Sequence, residues 1–333
     1  MRIAWGLAIS AIWSRIMFIH KYLRFCIQKY RRTFESSAFT LAQSALILSL
    51  LPQSAHAHAV AGDRVFPATL EVDDPSVATE LSLPSVSWSR GPLDANGNFP
   101  NLTNVGAEFD LLIAPNLAVG ISDGWNSQTA RGERGIYGYD SIEVSGKYLF
   151  YENDEHEILM SAGLVVDIGG TGASSFGDDG TSTFTPTYYV GKGMGDLPDS
   201  MALLKPFAIT GTIGVAITQN RSNPDEFQPA ITLQYSMPYL KSAVKDYDLP
   251  DFVNHLVPVV EIPLSVGLNN GAHTWGGTIN PGFIYMGNTW QFGIEASLPV
   301  TAADQHGVGV TGQFHVYLDD LVPAFFKPLT GGI

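Results

Sequence analysis

The sequence predicts an all-β chain: a transmembrane antiparallel up-and-down β-barrel of about twelve strands, preceded by a cleaved signal peptide. Three observations lead there. Short segments alternate strictly between apolar and polar residues. Their polar positions carry few charges. Aromatic residues gather at the segment ends. The stretch HGVGVTGQFHVYLDD (306–320) shows the first feature plainly. Val308, Val310, Gly312, Phe314, Val316 and Leu318 form one face, and Gly309, Thr311, Gln313, His315, Tyr317 and Asp319 the other. A period of two over this length is a strand with one apolar face.

The chain begins with an export pattern. Lys21, Arg24, Lys29, Arg31 and Arg32 form a basic region, and the apolar run 38–51 is too short for a transmembrane helix. Ala55-His56-Ala57 fits a small-x-small cleavage site before His58. Residues 1–57 are therefore read as a signal peptide, 58–78 as an irregular periplasmic leader, 79–320 as the barrel and 321–333 as a periplasmic C-terminal extension. The single cysteine, Cys26, falls in the removed part. The mature chain then has no disulfide, thiol nucleophile or cysteine metal site.

Residues 1–57 hold seven of the 18 basic residues and one of the 32 acidic ones, leaving 11 bases, 31 acids and a net charge of −20. That balance excludes nucleic acid as a partner, because nothing basic remains to grip phosphate. No later segment approaches a transmembrane helix. A membrane-spanning mature chain must therefore be a closed barrel, the only sheet that leaves no backbone group unpaired in lipid.

Strand candidates lie at 79–90, 104–114, 116–126, 134–151, 155–170, 181–193, 204–218, 226–240, 255–268, 272–286, 288–300 and 306–320. Tight turns follow the second, fourth and tenth, and looser polar links follow the first, third, fifth and seventh. Short turns at one end and long loops at the other are the pattern of outer-membrane barrels, with the turns periplasmic. Two links on the turn side, 193–204 and 240–256, are longer and expected to hold a helical turn. Pro186, Pro229, Pro258, Pro263 and Pro281 fall inside strand candidates and argue against them, since proline removes a ladder donor.

Which face points outward follows from composition. The polar faces hold Gly, Thr, Ser, Gln and Asn, whereas a soluble sheet exposes Lys and Glu. Trp125, Phe184, Phe227 and Trp275 stand at the loop end of their strands on the apolar face. Phe150, Phe207, Tyr239, Tyr285 and Trp290 stand at the turn end on the same face. Two such bands match the aromatic girdles of a membrane barrel. The apolar face is thus expected to meet lipid.

The inward set then includes Glu108, Asp110, Glu143, Lys147, Asp167, Glu261, Glu295 and His315. One lysine among acids reads as a cation-favouring constriction. It reads equally as a lumen filled by paired side chains, Glu143 with Lys147 for example, that hold the barrel shut.

Several stretches support the same picture: KYLFYENDEHEI (147–158), GKGMGDLPDS (191–200), LQYSMPYLKSAVKD (233–246), NPGFIY (280–285) and HVYLDDLVP (315–323). They resemble a family of uncharacterised proteobacterial outer-membrane barrels, itself similar to barrel transporters described as phenol-degradation (meta-pathway) proteins. The resemblance covers roughly 58–325 and implies fold and location, with no functional residue to carry over.

The expected function is a passive outer-membrane channel for small solutes with a weakly cation-favouring lumen. The alternatives are a closed barrel with a structural or envelope-interaction role, and a barrel-embedded hydrolase. Membrane lipids, lipopolysaccharide, a small solute and the barrel-assembly machinery are the expected partners. No cofactor or metal is expected, and no catalysis. Outer-membrane phospholipases, which resemble such a barrel in strand number, use a serine and a histidine close in sequence. No histidine here is followed two residues later by serine.

Overall fold

A computed structural model describes residues 60–91, 97–300, 307–323 and 325–326. The expected signal peptide, 1–57, and most of the expected C-terminal extension, 321–333, lie outside the described residues. Twelve antiparallel strands form the wall: β1 (Glu80–Arg90), β2 (Asn101–Ala114), β3 (Leu117–Thr129), β4 (Ile142–Asn153), β5 (Ile158–Ile168) and β6 (Thr183–Gly193) are followed by β7 (Phe207–Thr218), β8 (Glu226–Tyr235), β9 (Leu256–Gly267), β10 (Trp275–Met286), β11 (Trp290–Pro299) and β12 (Gly309–Tyr317). Each pairs with its neighbour in sequence, and β12 pairs back onto β1 to close the barrel. No helix among the described residues is long and apolar enough to cross a membrane.

The barrel is apolar outside and polar inside. Ile213 is 54% exposed, and Leu164, Phe283, Phe292 and Leu298 are also exposed. Glu261, Thr210 and Thr232 are 0% exposed, and Asn280, Gln291 and Gln234 are buried. This inverts the distribution of a water-soluble fold, in which apolar burial drives assembly. Only a hydrocarbon surrounding makes such a surface favourable.

The fourth strand departs from a continuous 134–151. An upper piece, Ile136–Tyr139, pairs with β3 separately from β4. Between Ser122↔Glu143 and Trp125↔Tyr139 the fourth strand has one residue more than β3, and Asp140 N donates to Gly124 O at 2.8 Å. A β-bulge of this kind bends the strand near the outer rim.

Four of the five prolines stand in or beside a break of a ladder, and Pro258 lies just past the end of the β8–β9 ladder at Val259. Pro186 lies in the gap of the β6–β7 ladder between Thr187 and Phe184. Pro229 falls in the gap of the β8–β9 ladder, Pro263 borders it, and Pro281 lies in the gap of the β10–β11 ladder. The missing N–H therefore faces an interrupted register instead of removing a bond from a continuous one.

The eighth strand ends at Tyr235, short of the expected 240. Ser236 Oγ accepts from Tyr239 N at 3.2 Å and Pro238 lies in the first turn, so Met237–Tyr239 turns into a short helix. This overturns the girdle assignment of Tyr239, which is buried. The other eight girdle candidates lie on strands. At the loop end Phe227 meets Trp275 edge-on, with ring centroids 6.5 Å apart. At the turn end Tyr285 stacks on Trp290, and Trp290 on Phe314, each pair 5.7 Å apart.

Candidate functional site: the lumen and the segment inside it

The leader does not trail into the periplasm. A two-residue hairpin, Val60–Ala61 against Arg64–Val65, opens it, and residues 66–78 then cross the barrel interior. Alternation along 66–78 is absent, so no strand forms there, and its backbone groups bond to side chains of the wall.

Those bonds name the wall residues that hold it. Glu261 on β9 accepts the backbone N–H of Leu70 at 2.8 Å on one oxygen. Its other oxygen accepts Glu71 N at 3.0 Å and Val72 N. Three successive amides around one carboxylate form an anion-binding nest. Gln291 donates to Ala68 O, and Ser161 to Pro75 O. Thr311 Oγ1 donates to Glu71 at 2.9 Å. Two inward glycines make room. A Cβ on Gly293 would lie 2.4 Å from Leu70 Cδ1, and one on Gly191 2.9 Å from Pro75 Cγ. The apolar side chains Phe66 and Val72 are fully buried between segment and wall.

Lys147 on β4 also turns to this segment. Its Nζ donates to Asp73 at 2.7 Å and to Asp74 O at 3.1 Å, and stands 4.8 Å from the Tyr189 ring centroid. The expected pairing with Glu143 is therefore corrected: Glu143 accepts from Ser122 Oγ at 3.2 Å instead.

The turn-side end of the segment is pinned by Arg64, which is 0% exposed. Its Nε donates to Glu157 at 3.1 Å and its Nη1 to Pro206 O at 2.9 Å, and Nη2 donates to Lys205 O. The guanidinium lies 3.8 Å from the Tyr239 ring centroid, and Tyr239 OH donates to Glu157 at 2.7 Å. The buried Tyr239 thus belongs to this lock. The two long links on the turn side, with their short helical turns, supply the carbonyls and the ring.

The eight lumen candidates fall into separate groups. Glu108, Asp110, Glu143 and Lys147 line one cavity of about 60 Å³ together with Asp73 and Tyr189. Asp167 is absent from its lining. It pairs with Thr183 at the outer end of β6. Glu261, Glu295 and His315 face inward, but no open passage reaches them, since all three are buried. Glu295 stands beside Glu261, with the two carboxyls within hydrogen-bonding reach of each other. His315 closes the β12–β1 seam, with Nδ1 2.9 Å from Ser82 Oγ and Nε2 3.2 Å from Glu80. A serine, a histidine and an acid in a row carry the outline of a hydrolase relay. Ser82 is buried, however, and the cavity does not include it.

Outside the membrane, Asp178 and Asp179 organise a loop. Asp178 accepts backbone N–H groups of Gly170, Gly180 and Gly172 at 2.8, 2.7 and 2.6 Å, which hold its carboxyl below the usual range. Asn220 and Thr181 hold Asp179 down to about 2. Asn220 and Asn223 both donate to it, joining this loop to 219–225.

A closed, lipid-facing barrel of twelve strands with a polar, partly filled lumen is the architecture of an outer-membrane barrel. Comparison with solved structures agrees on the fold. The chain is similar to a COG4313 outer membrane channel from Pseudomonas putida F1, with 9% identity, a TM-score of 0.50, and coverage of 76% of this chain and 99% of that one. It also aligns with KdgM porin at 8% identity, covering 71% of this chain and 98% of that one, with a TM-score of 0.43. No family model matches the chain, and no curated protein does. The likeness to phenol-degradation proteins thus has no support beyond the stretches quoted above.

Proposed function

We propose that this chain is an outer-membrane channel for small solutes, embedded among phospholipid and lipopolysaccharide and delivered there by the barrel-assembly machinery. Its outer vestibule favours cations. The observation that carries the reading is the charge of the cavity wall. Glu108, Asp110 and Glu143 stand around a single Lys147, whose charge Asp73 already offsets. A passage lined by uncompensated acids concentrates cations and excludes anions.

The test is swelling of liposomes that hold the refolded barrel, in solutes matched in size and opposite in charge. Cationic solutes are expected to enter faster than anionic ones. Equal rates would remove the charge preference. A second reading, a closed barrel with a structural role, is favoured by the segment that fills the periplasmic half of the lumen. Absence of swelling by any solute, in vesicles shown to contain folded barrel, would support that reading.

A further inference from the structure

We propose that residues 66–78 are a displaceable strap across the lumen, that Glu261 is the group that holds it down, and that its release opens the passage. The inference rests on the channel reading above.

Three features separate the strap from the wall. First, the barrel is complete without it: the ladders run from neighbour to neighbour and close through β12 and β1, and none includes a residue of 66–78. Removing the strap breaks no strand pairing. Second, both ends of the strap are fixed while its middle is not part of any element. Arg64 pins one end at the periplasmic rim, and Thr79 N, bonded to Asp319 at 3.1 Å, pins the other. Movement is thereby confined to the stretch between them. Third, one wall side chain makes more bonds to the middle than any other. Glu261 accepts all three amides of Leu70, Glu71 and Val72. Charge-assisted bonds of this kind are about twice as strong as neutral ones. At Glu261 the contact is to backbone alone, through the nest that three successive amides form.

Serine, lysine, glutamine and threonine side chains support the strap at Pro75, Asp73, Asp74, Ala68 and Glu71, one bond at each. Glu261, with three bonds, is the position where one change disturbs the most contacts. In Glu261→Gln the amide NH₂ replaces one acceptor oxygen, so in either orientation N–H meets N–H, at Leu70 or at Glu71 and Val72.

The experiment measures single-channel current in planar bilayers, with folding of each variant checked by its heat-modifiable gel shift. The mature chain has no cysteine, so Leu70→Cys with Gly293→Cys provides a unique lock where the strap touches β11. Oxidation should hold the current at its closed level and reduction should restore opening. Glu261→Gln should raise the open probability by about tenfold, the shift that loss of a charge-assisted bond brings. A barrel lacking 66–78 should stay open, and a synthetic peptide of that sequence should close it again. Identical currents in oxidised and reduced locks, with no block by the peptide, would overturn the strap while leaving the channel. A truncated barrel that carries no current at all would overturn the channel reading itself.

Discussion

Arg64 illustrates how one side chain ties the lumen segment to the periplasmic rim. Its guanidinium has a carboxylate, two carbonyls and an aromatic ring around it, and the ion pair is almost fully buried. Burial alone lowers the pKa of such a group, and Glu157 opposes that. Arg64→Ala would leave the buried Glu157 without its cation, with the Tyr239 hydroxyl and Gly195 N still donating to it. Loss of about 3–5 kcal/mol is expected, the usual cost of breaking a buried pair from one side. Urea unfolding followed by tryptophan fluorescence measures it. An unchanged midpoint would show that the lock does not contribute. None of this was legible at the residue scale. Arg64 sits in a stretch without periodicity, and Glu157 in a polar turn. Tyr239 shows the opposite failure. Its alternation with Met237 and Tyr235 suggested a strand, and the signal that could have corrected it was present in Ser236 and Pro238, which start a helical turn.

Elements were far more readable than residues. Each of the twelve strands, and the alternation of tight turns with long loops, follows from a period of two and from the turn residues between. Boundaries shifted where a bulge or a cap intervened, as at Asp140 and Ser236. The loops make a prediction of their own. Asp179 has its folded-state pKa lowered to about 2, first by Asn220 and then by Thr181. A depressed acid contributes stability that is fully present above its unfolded value, about 4, and lost as pH falls through about 2. The join between 169–182 and 219–225 should therefore persist at pH 3.5 and loosen only near pH 2. Limited proteolysis with pepsin across that window reports it. Cleavage of these loops already at pH 3.5 would contradict the assignment.

The whole molecule is defined by an inversion: acids and amides inside, valine, isoleucine and aromatic rings outside. That inversion was legible because the polar faces lacked the lysines and glutamates a soluble sheet carries. The leader was not legible, because a segment that binds through its own backbone leaves no side-chain pattern. One trace of it did exist. Gly191 on β6 and Gly293 on β11 fall on inward faces where a wall filling its own lumen would carry side chains. Such bare positions mark the path of something else. Of the eight inward candidates, alternation placed all eight on the lumen side but could not divide them. Glu108, Asp110, Glu143 and Lys147 share a cavity, while Glu261 is spent on the strap and His315 on the closing seam.

The central claim is that a passage bounded by these acids crosses the barrel. The most direct test is the reversal potential of the refolded mature chain in a planar bilayer under a salt gradient, alone and with Glu108→Lys and Glu143→Lys. The account predicts current with a cation-selective potential, moving toward anion selectivity in the double variant. An anion-selective potential, or one that the two reversals leave unmoved, would contradict it.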